Sequence, residues 1–157
     1  VLGGPRGAGL RQGSEDVVAL GDGGFVELGL GTASIVDGPG ADFLVFENPF
    51  FVSGDVENPY VELGIVSVSE DGKKWLEFPC EATAYPYGSC AGWHPVVSNV
   101  DTGAGDPFDP EQGGDPFDLA DVGRERARGG RSTDRAGDAV EFDLDAVALI
   151  HAECENE

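Results

Sequence analysis

The chain has 157 residues, and 9 Lys plus Arg stand against 30 Asp plus Glu, for a formal net charge of −21. That balance excludes a nucleic-acid backbone as a partner, because such binding needs a basic stripe to displace counterions, and it disfavours anionic membrane surfaces for the same reason. Hydrophobic residues make up 40%, with 9 Phe, 3 Tyr and 2 Trp, which is globular rather than disordered, and no apolar run is long enough to span a bilayer.

The 25 Gly and 10 Pro imply many tight turns and favour an all-β chain. The length suits one domain, 1–157, read as exported with a leader removed ahead of Val1. Residues 1–16 (VLGGPRGAGLRQGSED) are too sparse in apolar residues for a helix and read as an arm leading into a first strand at 17–20. GDGG at 21–24 is a turn signal and FVELGL at 25–30 alternates, so these two strands are predicted to form a hairpin. DFLVFE at 42–47 is apolar on both faces, which places it centrally in a sheet or between layers. Asp42 and Asn48 at its ends are either turn formers or metal ligands. Glu47 is a charge closing an apolar strand, and such a charge needs a partner.

YVELGIVSVS (60–69) reads as a long strand, EDGK (70–73) as a turn and KWLEFP (74–79) as the returning partner. Trp75 and Phe78 are expected in the core or at its rim. Cys80 and Cys90 flank EATAYPYGS, a loop that a disulfide closes readily, and their pairing implies an oxidising compartment. Cys154 is then a free thiol or pairs with sequence beyond Glu157. His94, beside Trp93 and Pro95, reads as a loop or packing residue; a transition-metal site of His94, His151 and a Cys has no local support.

From Ser98 to Val122 the chain reads SNVDTGAGDPFDPEQGGDPFDLADV, with GDPFD at 105–109 and again at 114–118. Neither helix period nor strand alternation survives there, so a long, turn-built acidic insertion is expected. Carboxylates on Gly-rich turns present hard oxygen ligands to calcium, which nominates Asp101, Asp106, Asp109, Asp115 and Asp118. The plain alternative is a solvated acidic loop. Phe108, Phe117 and Leu119 are expected to anchor it on a core. RERARGGRSTDRAGD (124–138) is the only basic cluster and is expected to fold against acidic neighbours. VEFDLDAVALIHAE (140–153) alternates as a last, central strand, and places Asp143 and Asp145 on one face as a second pair of metal candidates.

Several segments, LGGPRGAGLRQGSEDVVALGDGGFVELGL, IVDGPGADFLVFENPF, VSVSEDGKKWLEFP, DPFDLADVG and FDLDAVALI, resemble a family of bacterial secreted or cell-surface β-sandwich proteins, and they occur in the family's order. The resemblance implies a jelly-roll, galactose-binding-like antiparallel sandwich that is exported, binds calcium and has no known catalytic activity. It carries a metal role to Asp42, Glu47, Asn48, Asp118, Asp143 and Asp145. The chain departs at 127–134, where an apolar, β-branched strand is expected and ARGGRSTD stands; either that strand is degenerate or the sheet edge is built differently.

The leading functional expectation is a non-catalytic, calcium-binding module for adhesion that binds an extracellular glycan or surface protein. Tyr85, Tyr87 and Trp93 are its candidate ligand contacts, although they equally cap a core rim. The alternatives are a structural surface or matrix component assembled through calcium, and a hydrolase working through two carboxylates roughly 5–10 Å apart. No G-x-S-x-G, H-E-x-x-H or Cys/His arrangement supports an enzyme.

Overall fold

Frequent turns cut the alternating sequence into short strands. In the computed structural model, which describes residues 3–83, 85–135 and 141–154, the first half carries β1 (Val18–Ala19), β2 (Phe25–Gly29), β3 (Ala33–Val36), β4 (Phe43–Phe46), β5 (Phe50–Phe51), β6 (Pro59–Tyr60) and β7 (Gly64–Ser69). The second half adds β8 (Leu76–Glu77), β9 (Cys90–Ala91), β10 (Asp115–Phe117), β11 (Arg126–Ala127), β12 (Gly129–Asp134), β13 (Asp143–Leu144), β14 (Ala146–Leu149) and β15 (Ala152–Cys154). Every pairing is antiparallel. The architecture is all-β and sandwich-like.

One sheet runs β2-β12-β7-β8, with β9 also on β7; a second runs β10-β4-β14 and a third β11-β3-β15. The main core lies between the first two. Val66 and Val68 of β7 meet Phe43 and Val45 of β4, joined by Phe78, Phe117, Phe142 and Leu144. Phe43 stacks on Phe117 at 5.2 Å, and Phe78 meets both rings edge-on. The other face of β4, Leu44 and Phe46, packs with Val96, Ala146 and Ala148 in a second cluster. This is why β4 is apolar on both sides, as its sequence predicts. Burying each such side chain stabilises the fold by about 1.5–3 kcal/mol.

The β7–β8 hairpin forms as expected, with Ser67 opposite Glu77 and Val68 opposite Leu76. Its turn is closed by Asp71, whose carboxylate accepts from the amides of Lys73 and Lys74. The Cys80–Cys90 disulfide is present, and Cys154 is an exposed free thiol.

Several expectations are corrected. Strands β1 and β2 do not pair with each other: Val18–Ala19 joins β13, and Phe25–Gly29 joins β12. Asp134 explains the switch, because its carboxylate takes the Gly23 amide at 2.9 Å and the Phe142 amide at 2.7 Å, holding the turn against the distant chain. The long strand at 60–69 is broken, since Pro59–Tyr60 turns back onto β5 before β7 begins. The last strand is three short ones, β13, β14 and β15, pairing with β1, β4 and β3; Val140, its expected start, and 136–138 of the basic segment lie outside the described residues.

The unpromising GGRSTD is neither degenerate nor an edge. It is β12, hydrogen-bonded to both β2 and β7. Its partners supply the cover it lacks: the Arg131 guanidinium lies over the rings of Trp75 (4.3 Å) and Phe25 (5.0 Å) and pairs with Glu27. Arg126 similarly pairs with Glu153, as expected of the basic segment. The acidic stretch is not wholly an excursion either, because its end becomes β10 and pairs with β4. Phe117 and Leu119 anchor it in the core, whereas Phe108 is 56% exposed and anchors nothing.

Candidate cation site

Among the described residues, two sets of three carboxylates bring oxygens within 4.8 Å of one another: Glu47, Glu62 and Asp143, and Asp37, Asp42 and Asp118. Two oxygens held at about 2.4 Å from one calcium ion lie at most about 4.8 Å apart, so both sets pass the spacing test. Hydrogen bonding separates them.

The first set is assembled from three distant elements. Glu47 follows β4, Glu62 precedes β7, and Asp143 opens β13. Glu47 is 1% exposed, yet neither of its carboxylate oxygens has a hydrogen-bond partner of good geometry. Burial pushes its carboxyl well above the usual range, and the negative charges of Glu62, Asp143 and Asp115 push it further; the adjacent Asn48 amide only tempers the effect. Glu62 is raised by burial and then by Asp143, with Tyr60 and the Glu141 backbone pulling it back. Tyr60 donates its hydroxyl to Glu62 Oε1 at 3.2 Å. Asp143 is raised by burial, and the Asn48 side chain lowers it through a hydrogen bond. Asn48 in turn donates to the Ser14 carbonyl at 2.9 Å, tying the N-terminal arm to the site. No basic side chain of the described residues stands among the main causes of these shifts. A group of three carboxyls with an orphaned, buried member is what a bound positive charge would resolve.

The second set is already resolved. Asp42 is fully buried, but Oδ1 accepts from the Gly38 amide (2.8 Å) and lies 2.9 Å from His151 Nδ1, while Oδ2 accepts from the Leu119 amide (2.7 Å). Asp118 caps the following turn through the Ala120 amide. These carboxylates knot three loops together.

The other candidates disperse. Asp101 pairs with Arg6 on the surface. Asp106 closes a turn through the Phe108 amide, and Asp109 caps a short turn of 3-10 helix through the Glu111 amide. Asp115 is buried under Trp93 and His94: Oδ2 takes the Gly92 amide at 2.6 Å and Oδ1 lies 2.8 Å from His94 Nδ1. Asp145 is buried and accepts from the Arg6 amide at 2.8 Å, so it parts from Asp143. Among the described residues, neither His94 nor His151 belongs to a group of three or more potential ligands. The residue missed by sequence reasoning is Glu62. Its place between Val61 and Leu63 in the predicted 60–69 strand gave no local sign of the meeting of segments that its role requires.

No protein-family model, curated protein or solved structure matches the chain.

Proposed function

We propose that this protein is a non-catalytic, extracellular β-sandwich module that binds calcium between Glu47, Glu62 and Asp143. The observation that carries the reading is the unpartnered carboxylate of Glu47, buried beside two further carboxyls. Three carboxylates offer up to six oxygens and no nitrogen or sulfur, which suits a hard cation of flexible coordination and disfavours zinc. Magnesium, which keeps most of its water, fits a buried set of this kind less well. In the metal-free protein a proton on Glu47 stands in for the ion, consistent with its raised value.

The Cys80–Cys90 disulfide supports an oxidising compartment, and the sequence resemblance to secreted β-sandwich proteins agrees with it. A hydrolase reading is less well supported, since the space beside Glu47, bounded by Gly7, Ser14 and Val96, is too small to admit a substrate on that side. Calorimetric titration of calcium into EDTA-treated protein tests the proposal. One ion per chain with Glu47→Gln and Glu62→Gln each abolishing the heat is expected; unaltered binding in Glu47→Gln would overturn it.

A further inference from the structure

A second concavity gathers residues that neither core cluster uses. A groove of about 550 Å3 runs between the β5–β6 hairpin and the disulfide loop, lined by Phe51, Pro59, Tyr85, Tyr87, Trp93 and His94. That volume falls in the range of small-molecule sites, about 300–1,000 Å3. Tyr85 is 73% exposed, although a ring of that size ordinarily buries much of its surface. It meets Tyr87 and Trp93 edge-on at 6.0 and 5.6 Å, and Tyr87 meets Trp93 at 6.1 Å.

The plates of this surface are fixed in place. The Trp93 indole donates to the Cys90 carbonyl at 3.0 Å, and Cys90 is locked to Cys80. The loop behind them is seated tightly, because a side chain at Gly92 (φ 92°) would meet the Glu62 carbonyl oxygen at 2.0 Å. The polar group is fixed as well. His94 lies tilted against Trp93, ring centres 3.7 Å apart, and its Nδ1 is held by the buried Asp115, which leaves Nε2 without a hydrogen-bond partner among the described residues. Rigid apolar plates with one oriented polar atom form a preorganised site.

We propose that this groove binds a neutral saccharide, whose apolar ring face lies on the exposed Tyr85 and whose edge meets Trp93 while a hydroxyl bonds His94 Nε2. The chemistry narrows the class. A wholly apolar ligand would desolvate Nε2 without replacing its water. An acidic glycan would meet Glu57 at the rim of a molecule of net charge −21. A quaternary ammonium needs room among the rings, and ring centres 5.6–6.1 Å apart are in edge-to-face contact with none between them.

Calorimetry and saturation-transfer NMR on the full chain, against gluco-, manno-, galacto- and xylo-configured oligosaccharides and phosphocholine, test this in calcium and again in EDTA, which separates it from the cation site. Binding of one sugar configuration is expected. Tyr85→Ala should weaken it roughly tenfold. His94→Asn keeps an N–H toward Asp115 while deleting Nε2, and should weaken it roughly fivefold with an unchanged melting temperature. The proposal fails if no sugar binds at millimolar concentration in either buffer, if both variants bind as the wild type does, or if phosphocholine binds in place of every sugar.

Discussion

The two carboxylate clusters differ less in composition than in what their oxygens already do. Each has three acids within reach of one ion, and each has a fully buried member. Around Asp42, two backbone amides and His151 satisfy the carboxylate from within the protein. Around Glu47, neither buried oxygen has a donor of good geometry, and three other acids raise its carboxyl while only the Asn48 amide opposes them. Counting acids therefore does not distinguish a structural knot from an ion site; accounting for donors does. A carboxylate that has its donors holds loops together, and one that lacks them must keep a proton or take a cation.

The largest effect is expected at the knot. Asp42→Asn places an amide group against donors that need an acceptor, and the cost of an unsatisfied buried donor predicts a loss of about 3 kcal/mol. Urea unfolding would read this as a lower midpoint at unchanged slope. The calcium response should survive intact, and its disappearance would merge the two clusters into one system.

Next comes the ion itself. Calcium at 100 times its dissociation constant stabilises a native-only binder by about 2.7 kcal/mol, which for a chain of this size raises the melting temperature by about 5–10 °C. Glu47→Gln should abolish that rise. In EDTA at neutral pH the same variant should melt above the wild type, since a neutral amide does not need the proton that the raised Glu47 carboxyl takes up on folding.

The pH dependence sharpens the contrast, because Glu47, Glu62 and Asp143 all have folded-state values above their unfolded ones. A raised carboxyl means that the native state keeps protons the unfolded chain has released. The contribution of this cluster is then full below the ordinary carboxylate range, about 3.9–4.3, and is lost as pH rises through the raised values. With calcium present the ion displaces those protons and the loss is removed. Melting curves from pH 4 to 8 should therefore converge at low pH and separate as pH rises, and Glu47→Gln should flatten the EDTA series.

Parts of this contrast were legible in the sequence. The all-β class followed from turn density, and the two-faced β4 and the Cys80–Cys90 pairing from local pattern. Glu47 stood out because a charge at the end of an apolar strand has no local remedy. Glu62 was hidden, since its role depends on three segments meeting across the sheets, and long-range pairing leaves no local mark. The same reason hid the joining of β1 to β13 and the central position of β12, whose Arg131 gains cover from Phe25 and Glu27 of β2 and from Trp75 before β8. The 98–122 acids misled in a different way. Asp suits caps and turns as well as calcium loops, and at Asp106, Asp109 and Asp118 the local backbone amide took the oxygen.

The smallest effect tests that last point most directly. Asp118 is half-buried at the rim of the knot and accepts from the Ala120 amide at 2.8 Å, in the position of a cap on the 119–122 turn. Replacing a cap by Ala costs about 1 kcal/mol. Asp118→Ala should therefore lower stability by that amount equally in calcium and in EDTA, as read by paired urea titrations. A loss confined to the calcium series would make Asp118 a ligand. It would show that an ion can displace amide donors from Asp42, and that hydrogen-bond saturation does not separate the two clusters after all.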